Sequence, residues 1–175
     1  MIIHEMTSEE CHEFLRQTNI GRLGCTHDRQ PYVVPIYFAS DGKHLYCFST
    51  VGQKIEWMRA NPLVCLEVDE VVNHLHWKSV VVIGEYEELG DAPTCVNARE
   101  YALELLQKRA MWWQPAYVAT EHRGSRDALT PVFYRIQINQ VTGHRGMPDS
   151  FEEAGSNAAA SIRPKAKWSL FSRGR

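Results

Sequence analysis

The spacing of apolar residues along this chain changes period several times, and each change predicts an element. Thr7 followed by Glu10 three residues on is a capping-box pattern, and Cys11, Phe14 and Leu15 then recur at helical spacing until Asn19–Gly21 ends the run. From Ile20 to Thr26, Tyr32 to Ala39 and His44 to Phe48, β-branched and aromatic residues predict strands, separated by the short polar turns His27–Gln30 and Ser40–Lys43. Connections this short join antiparallel neighbours. A helix is predicted over Gln53 to Ala60, stopped by Asn61-Pro62, then strands over Leu63 to Val68 and Trp77 to Glu87. The unbroken run Val80–Ile83 predicts burial on both faces of that strand. A second main helix is expected from Asp91 to Lys108, with Ala98, Tyr101, Ala102, Leu105 and Leu106 on one stripe. Met111 to Gly124 is irregular, and Thr130 to Thr142 alternates as a last strand.

Beyond Met147 the periodicity is lost. The segment begins acidic, passes through Ala158–Ala160 and ends basic, a composition expected of a disordered tail or one docking on a partner. There are no internal repeats. Six strands with two or three helices between them make an α+β pattern, and closing the sheet into a small antiparallel barrel hides its edges. The expected organisation is a barrel domain over residues 1–146 and a tail over 147–175.

Composition narrows the class. At 175 residues with 44% hydrophobic content and net charge −2, one domain with a sizeable core is expected. No positive field exists to neutralise phosphates, so nucleic acid is not expected as a partner. No apolar run approaches the roughly 20 residues of a membrane span, and the acidic MIIHEMTSEEC start does not read as a signal peptide; the chain is expected in the cytoplasm. The five cysteines form no CxxC pair and are expected to be reduced core thiols.

One stretch combines several kinds of chemistry. FSTVGQKIEWMRANP places Ser49 and Thr50 at a strand end, Gly52 at a turn and Lys54 in a helical first turn. Hydroxyls and an ammonium beside unpaired helix N–H groups suit a phosphate. The plainer reading is that Ser49 or Thr50 caps the helix and Lys54 points to solvent.

Further motifs surround it in a fixed order: GRLG at Gly21–Gly24, PYVVP at Pro31–Pro35, LYCFSTVGQK at Leu45–Lys54, RANPLVCLEVD at Arg59–Asp69 and SVVVIG at Ser79–Gly84. In that order they resemble the flavin-binding split-barrel proteins related to pyridoxamine 5′-phosphate oxidase, in the branch that includes nitroimidazole-resistance reductases. The resemblance runs from about Ile20 to Gly143. It implies a six-stranded antiparallel split β-barrel with flanking helices, built as a homodimer with FMN at the subunit interface. It assigns Ser49, Thr50, Gln53 and Lys54 to the FMN phosphate, and Val34, Pro35, Ile36 and Tyr37 to the isoalloxazine ring. Trp77, Lys78 and Ser79 are implied near the ring or ribityl chain. Phe48 stands near the flavin where many of the branch carry a histidine, which puts histidine-dependent chemistry in doubt. The paired arginine and histidine that hold substrate phosphate in pyridoxamine phosphate oxidases are not located; Arg123, Arg126, His144 and Arg145 are candidates by charge only.

Other features carry two readings each. Trp112-Trp113 are core or interface anchors, or Trp113 stacks on flavin or substrate. His74 and His76 lack a third metal ligand, so no metal is expected, and Glu67, Asp69 and Glu70 read as a solvated strand end. The resulting expectation is an FMN-dependent oxidoreductase passing electrons from NAD(P)H to a small acceptor. The alternatives are a non-catalytic flavin store or sensor, or a split barrel holding haem or a deazaflavin.

Overall fold

A computed structural model describes residues 1–90, 95–109 and 131–148; Trp112, Trp113, Arg123, Arg126 and the tail beyond Pro148 lie outside them. The elements run β1 (Ile2–Glu5), α1 (Ser8–Gln17), β2 (Ile20–His27), β3 (Gln30–Ser40), β4 (His44–Thr50), α2 (Gln53–Ala60), β5 (Leu63–Val71), β6 (Trp77–Glu88), α3 (Val96–Gln107) and β7 (Pro131–Met147).

Local chemistry sets the boundaries. The Thr7 hydroxyl accepts from the Glu10 N–H at 3.2 Å and the Glu10 carboxylate accepts from the Thr7 N–H at 2.8 Å, closing the capping box that starts α1. The β2–β3 turn bends through Asp28 and Arg29, both at positive φ, the mirror-image geometry that suits a tight hairpin.

All strand pairs are antiparallel. Strands β7-β4-β3-β2-β5-β6 follow one another, and a β6–β7 ladder closes them into a ring of six. A seventh strand, β1, takes the side of β7 that β4 leaves, pairing Ile2 with Met147. The sequence reading lacks β1 and stops the last strand at Thr142, because the four exposed residues of β1 and the stretch Gly143–Gly146 carry no apolar period.

Alternating residues fill the ring: Leu23, Phe38, Leu45, Leu66, Val82, Tyr134 and Ile136 are wholly buried. Helix α1 adds Phe14 and Leu15, and α2 adds Ile55 and Met58. Helix α3 covers a smaller cluster around Tyr46, Leu89 and Ala102. Two expectations are corrected. Val80 and Val82 are buried but Ile83 is 45% exposed, so β6 alternates after all; its apolar run serves two different faces. Cys65 is exposed and Cys95 half-buried, whereas Cys11, Cys25 and Cys47 are the buried free thiols.

Candidate functional site

The ring parts between β3 and β4. Strands β3 and β4 pair only from Ser40/Leu45 to Phe38/Cys47. Beyond that, β4 continues beside β7 to Thr50/Pro131, while β3 continues beside β2 to the hairpin at Gln30. Their separated ends flank a gap, and α2 starts there.

Helix α2 begins at Gly52 with no side-chain cap. The Ser49 hydroxyl instead donates to the Thr50 carbonyl at 3.3 Å, with Ser49 itself buried. The capping alternative therefore fails, and the first N–H groups of α2 remain available to an anion. A Cβ at Gly52 would meet nothing within 4 Å, so the space over the helix start is open.

Lys54 is half-buried in the first turn, and no hydrogen bond or ion pair engages its ammonium among the described residues. Burial lowers its pKa, opposed by the nearby Cys47 and Cys25 thiols. Those thiols do not supply a counter-charge: burial pushes Cys47 up to about 12 and raises Cys25 as well. A cation partly removed from water and facing neutral groups is costly unless an anion joins it. Sequence alone marks Lys54 but not the thiols beneath it, because they lie on β2 and β4.

The strand period divides the residues assigned to the ring. On β3, Ile36 is buried in the core and Val34 packs against it, while Pro35 and Tyr37 alternate to the outer face. Phe48 lies on the outer face of β4 against Phe133, ring centroids 4.7 Å apart, and has no group that moves a proton.

Trp77, Lys78 and Ser79 start β6, paired with Gly146, Arg145 and His144. Ser49 pairs with Val132 of the same β7, which at about 3.3 Å per residue is roughly 45 Å along the strand. These three therefore sit at the other end of the ring from Lys54 within one chain. Each has a structural partner: Lys78 lies 3.6 Å from Glu70, Ser79 donates to Glu67 at 3.0 Å, and Trp77 covers Gly146. Glu67 and Asp69 both pair with Arg22, so these carboxylates belong to an ion-pair cluster. Arg145 is bound to Glu10 at 2.7 Å, and His144 is exposed. His76 belongs to a turn in which its N–H donates to the Asn73 side chain, and no metal-holding group of three ligands occurs among the described residues. No helix of those residues is long and apolar enough to cross a membrane.

A closed antiparallel ring that parts between two strands over an uncapped helix defines a split-barrel protein. Within that class the chain belongs to the pyridoxamine 5′-phosphate oxidase family, whose model matches residues 7–145. It is 42% identical to a crystallised FAD-binding protein of Mesorhizobium loti, covering 85% of this chain and 99% of that one with a TM-score of 0.68. An uncharacterized protein of Rhizobium meliloti (strain 1021) is 40% identical over 143 residues, 82% of this chain and 95% of its own. The FAD-binding protein of Mycobacterium smegmatis shares the fold at 20% identity, over 85% of this chain and all of its own, with a TM-score of 0.56.

Proposed function

We propose that this chain is a flavoprotein that grips the phosphate of FMN at the start of α2 and passes electrons from NAD(P)H to a small acceptor. The observation that carries the reading is Lys54: a half-buried ammonium without a counter-charge among the described residues, beside an uncapped helix start. The residues there fit the group. Lys54 neutralises the phosphate, the α2 N–H groups and Thr50 donate to it, and Gly52 leaves room for its oxygens. Along the gap, Pro35 and Tyr37 of β3 would flank the ring system. The bound flavin would supply the hydride and electron chemistry, while the protein positions it and excludes water.

The reading includes a homodimer, supported by the outer face of the ring. Val33, Gly24, Cys65 and Ile83 are successive cross-strand partners on β3, β2, β5 and β6. Val33, Ile83 and neighbouring Leu63 are exposed large apolar residues, a contiguous patch of the kind that marks an interface. A partner seated there would let Trp77–Ser79 serve the other subunit's flavin.

The Mesorhizobium loti protein favours a second reading, FAD in place of FMN, for which the same cradle would hold a diphosphate. Chromatography of the pigment released by heat, before and after phosphodiesterase treatment, separates the two. Anaerobic addition of NADH or NADPH tests turnover: bleaching of the flavin supports the reductase, and a persistent yellow colour replaces it with a store or sensor.

A further inference from the structure

We infer that the chain carries a second binding site, for a small oxyanion such as a phosphate ester or a carboxylate, in a cavity between the β3–β4 turn, the start of α1 and the middle of β7. The cavity measures about 400 Å³, within the range of small-molecule sites. It lies beside the first residues of β4, whereas the flavin cradle adjoins the last, and it shares no residue with that cradle.

Its lining has a consistent chemistry. Lys43 and His44 come from the turn, Ser8 and His12 from α1, and Gln137 and Asn139 from β7; no carboxylate lines it. Lys43 is exposed, and its ammonium makes no ion pair among the described residues. His12 and His44 each have Nδ1 buried with no hydrogen-bond partner. The His12 nitrogen is left without a partner, whereas that of His44 has the Asp41 carboxylate within ion-pair reach. With Nδ1 shut off, the ring edge that each histidine leaves for a ligand carries Nε2, an outward donor when protonated there. Asp41 stands behind His44, its Oδ2 3.7 Å from Nδ1. Its other oxygen is engaged by the N–H groups of Lys43 and His44, both at 2.7 Å, so the carboxylate shapes the turn instead of entering the cavity.

The backbone is specialised at the same place. The β6–β7 register shifts at Ile83/Gly84, with Ile83 opposite Gln140 and Gly84 opposite Ile138, so Asn139 is an extra residue. Bulges of this kind re-aim side chains and gather beside functional sites. The lone N–H of Ile138 donates to the Lys43 carbonyl at 3.0 Å, fastening the bulge to the turn that supplies Lys43 and His44. A metal ion is the poorer occupant: no third ligand joins the two histidines among the described residues, and Lys43 repels a cation.

The test is an NMR titration of the full-length chain, with ¹⁵N-labelled histidine rings, against inorganic phosphate and against succinate at constant ionic strength set by chloride. Signals assigned to His12 and His44 through His12→Gln and His44→Gln are expected to shift saturably with at least one of the two anions. Lys43→Met, at an exposed turn position that leaves folding intact, is expected to weaken that binding about tenfold, the worth of one charge-assisted contact. Lys54→Ala is expected to leave it unchanged, which keeps this site separate from the α2 cradle. Tighter binding of phosphate assigns the site to phosphate esters, and tighter binding of succinate to carboxylates. Saturation with neither anion overturns the inference, as does saturation that is indifferent to Lys43→Met or lost in Lys54→Ala.

Discussion

Lys54 concentrates both a cost and a use in one side chain. Its pKa is lowered by burial, so the ammonium form destabilises the protein without an anion, and that penalty is relieved as pH rises through the lowered pKa. Lys54→Met is therefore expected to leave the melting temperature of the apoprotein unchanged or higher. The same change should weaken FMN binding by about 1.5–3 kcal/mol, the usual worth of a charge-assisted hydrogen bond. Affinity in the unaltered chain should fall as pH rises through the lysine's lowered pKa, and titrations across pH with Lys54→Met should flatten that fall. Ser49→Ala should cost less, since the Ser49 hydroxyl is buried and engaged by the Thr50 carbonyl. At this scale the sequence marks the proposed corner but not its wiring. Ser, Thr, Gly and Lys at that spacing fit a cap or a cradle equally, and only the uncapped start of α2 separates the two. The run Val34–Tyr37 is likewise apolar or aromatic throughout, so nothing in its text tells which residues face the core.

Helix α2 must be held rigidly for its first turn to serve as a site. Its far end is clamped: Arg59 donates to both Glu88 oxygens at 2.7 Å, and the Tyr86 hydroxyl donates to the same carboxylate at 2.7 Å. The hydrogen bond from Arg59 holds the Glu88 pKa below its ordinary value, against the opposing effect of burial. The clamp's stabilisation is thus present above the unfolded pKa and is lost as pH falls through the folded one. Both partners are partly exposed, so Glu88→Gln is expected to cost only about 0.5–1 kcal/mol, measured by denaturant unfolding near neutral pH and absent well below pH 4. Helix α1 is seated differently, over Gly143, where a Cβ would lie 2.7 Å from the Cys11 sulfur. Gly143→Ala should destabilise by about 1–3 kcal/mol through overpacking. The boundaries of α1 and α2 were legible because capping box and Asn-Pro stop are local signals. Strand β1 and the end of β7 were not, because their formation rests on pairing with each other and with β6, far away in sequence.

The described strands form a ring whose closing ladder, β6 on β7, joins segments far apart in the sequence, with α3 between them. No local pattern encodes that closure; the order of five motifs did, by resemblance. The outer row Val33–Gly24–Cys65–Ile83 was hidden for a related reason, since its members come from four strands and only the register aligns them. Read singly, Cys65 looked like a core thiol. If that row seats a second copy, Val33→Glu should convert a dimer to a monomer in light scattering while leaving the circular dichroism of the barrel intact. A monomeric unaltered chain would remove the shared-site arrangement and leave Trp77–Ser79 as structural residues of their own ring. The central claim is narrower than the dimer: the start of α2 grips a phosphate. Equilibrium titration of the apoprotein with FMN and with riboflavin, which differ only in that phosphate, tests it most directly. The account predicts that FMN binds at least about tenfold more tightly and that the preference collapses in Lys54→Met; equal affinity for the two flavins would contradict it.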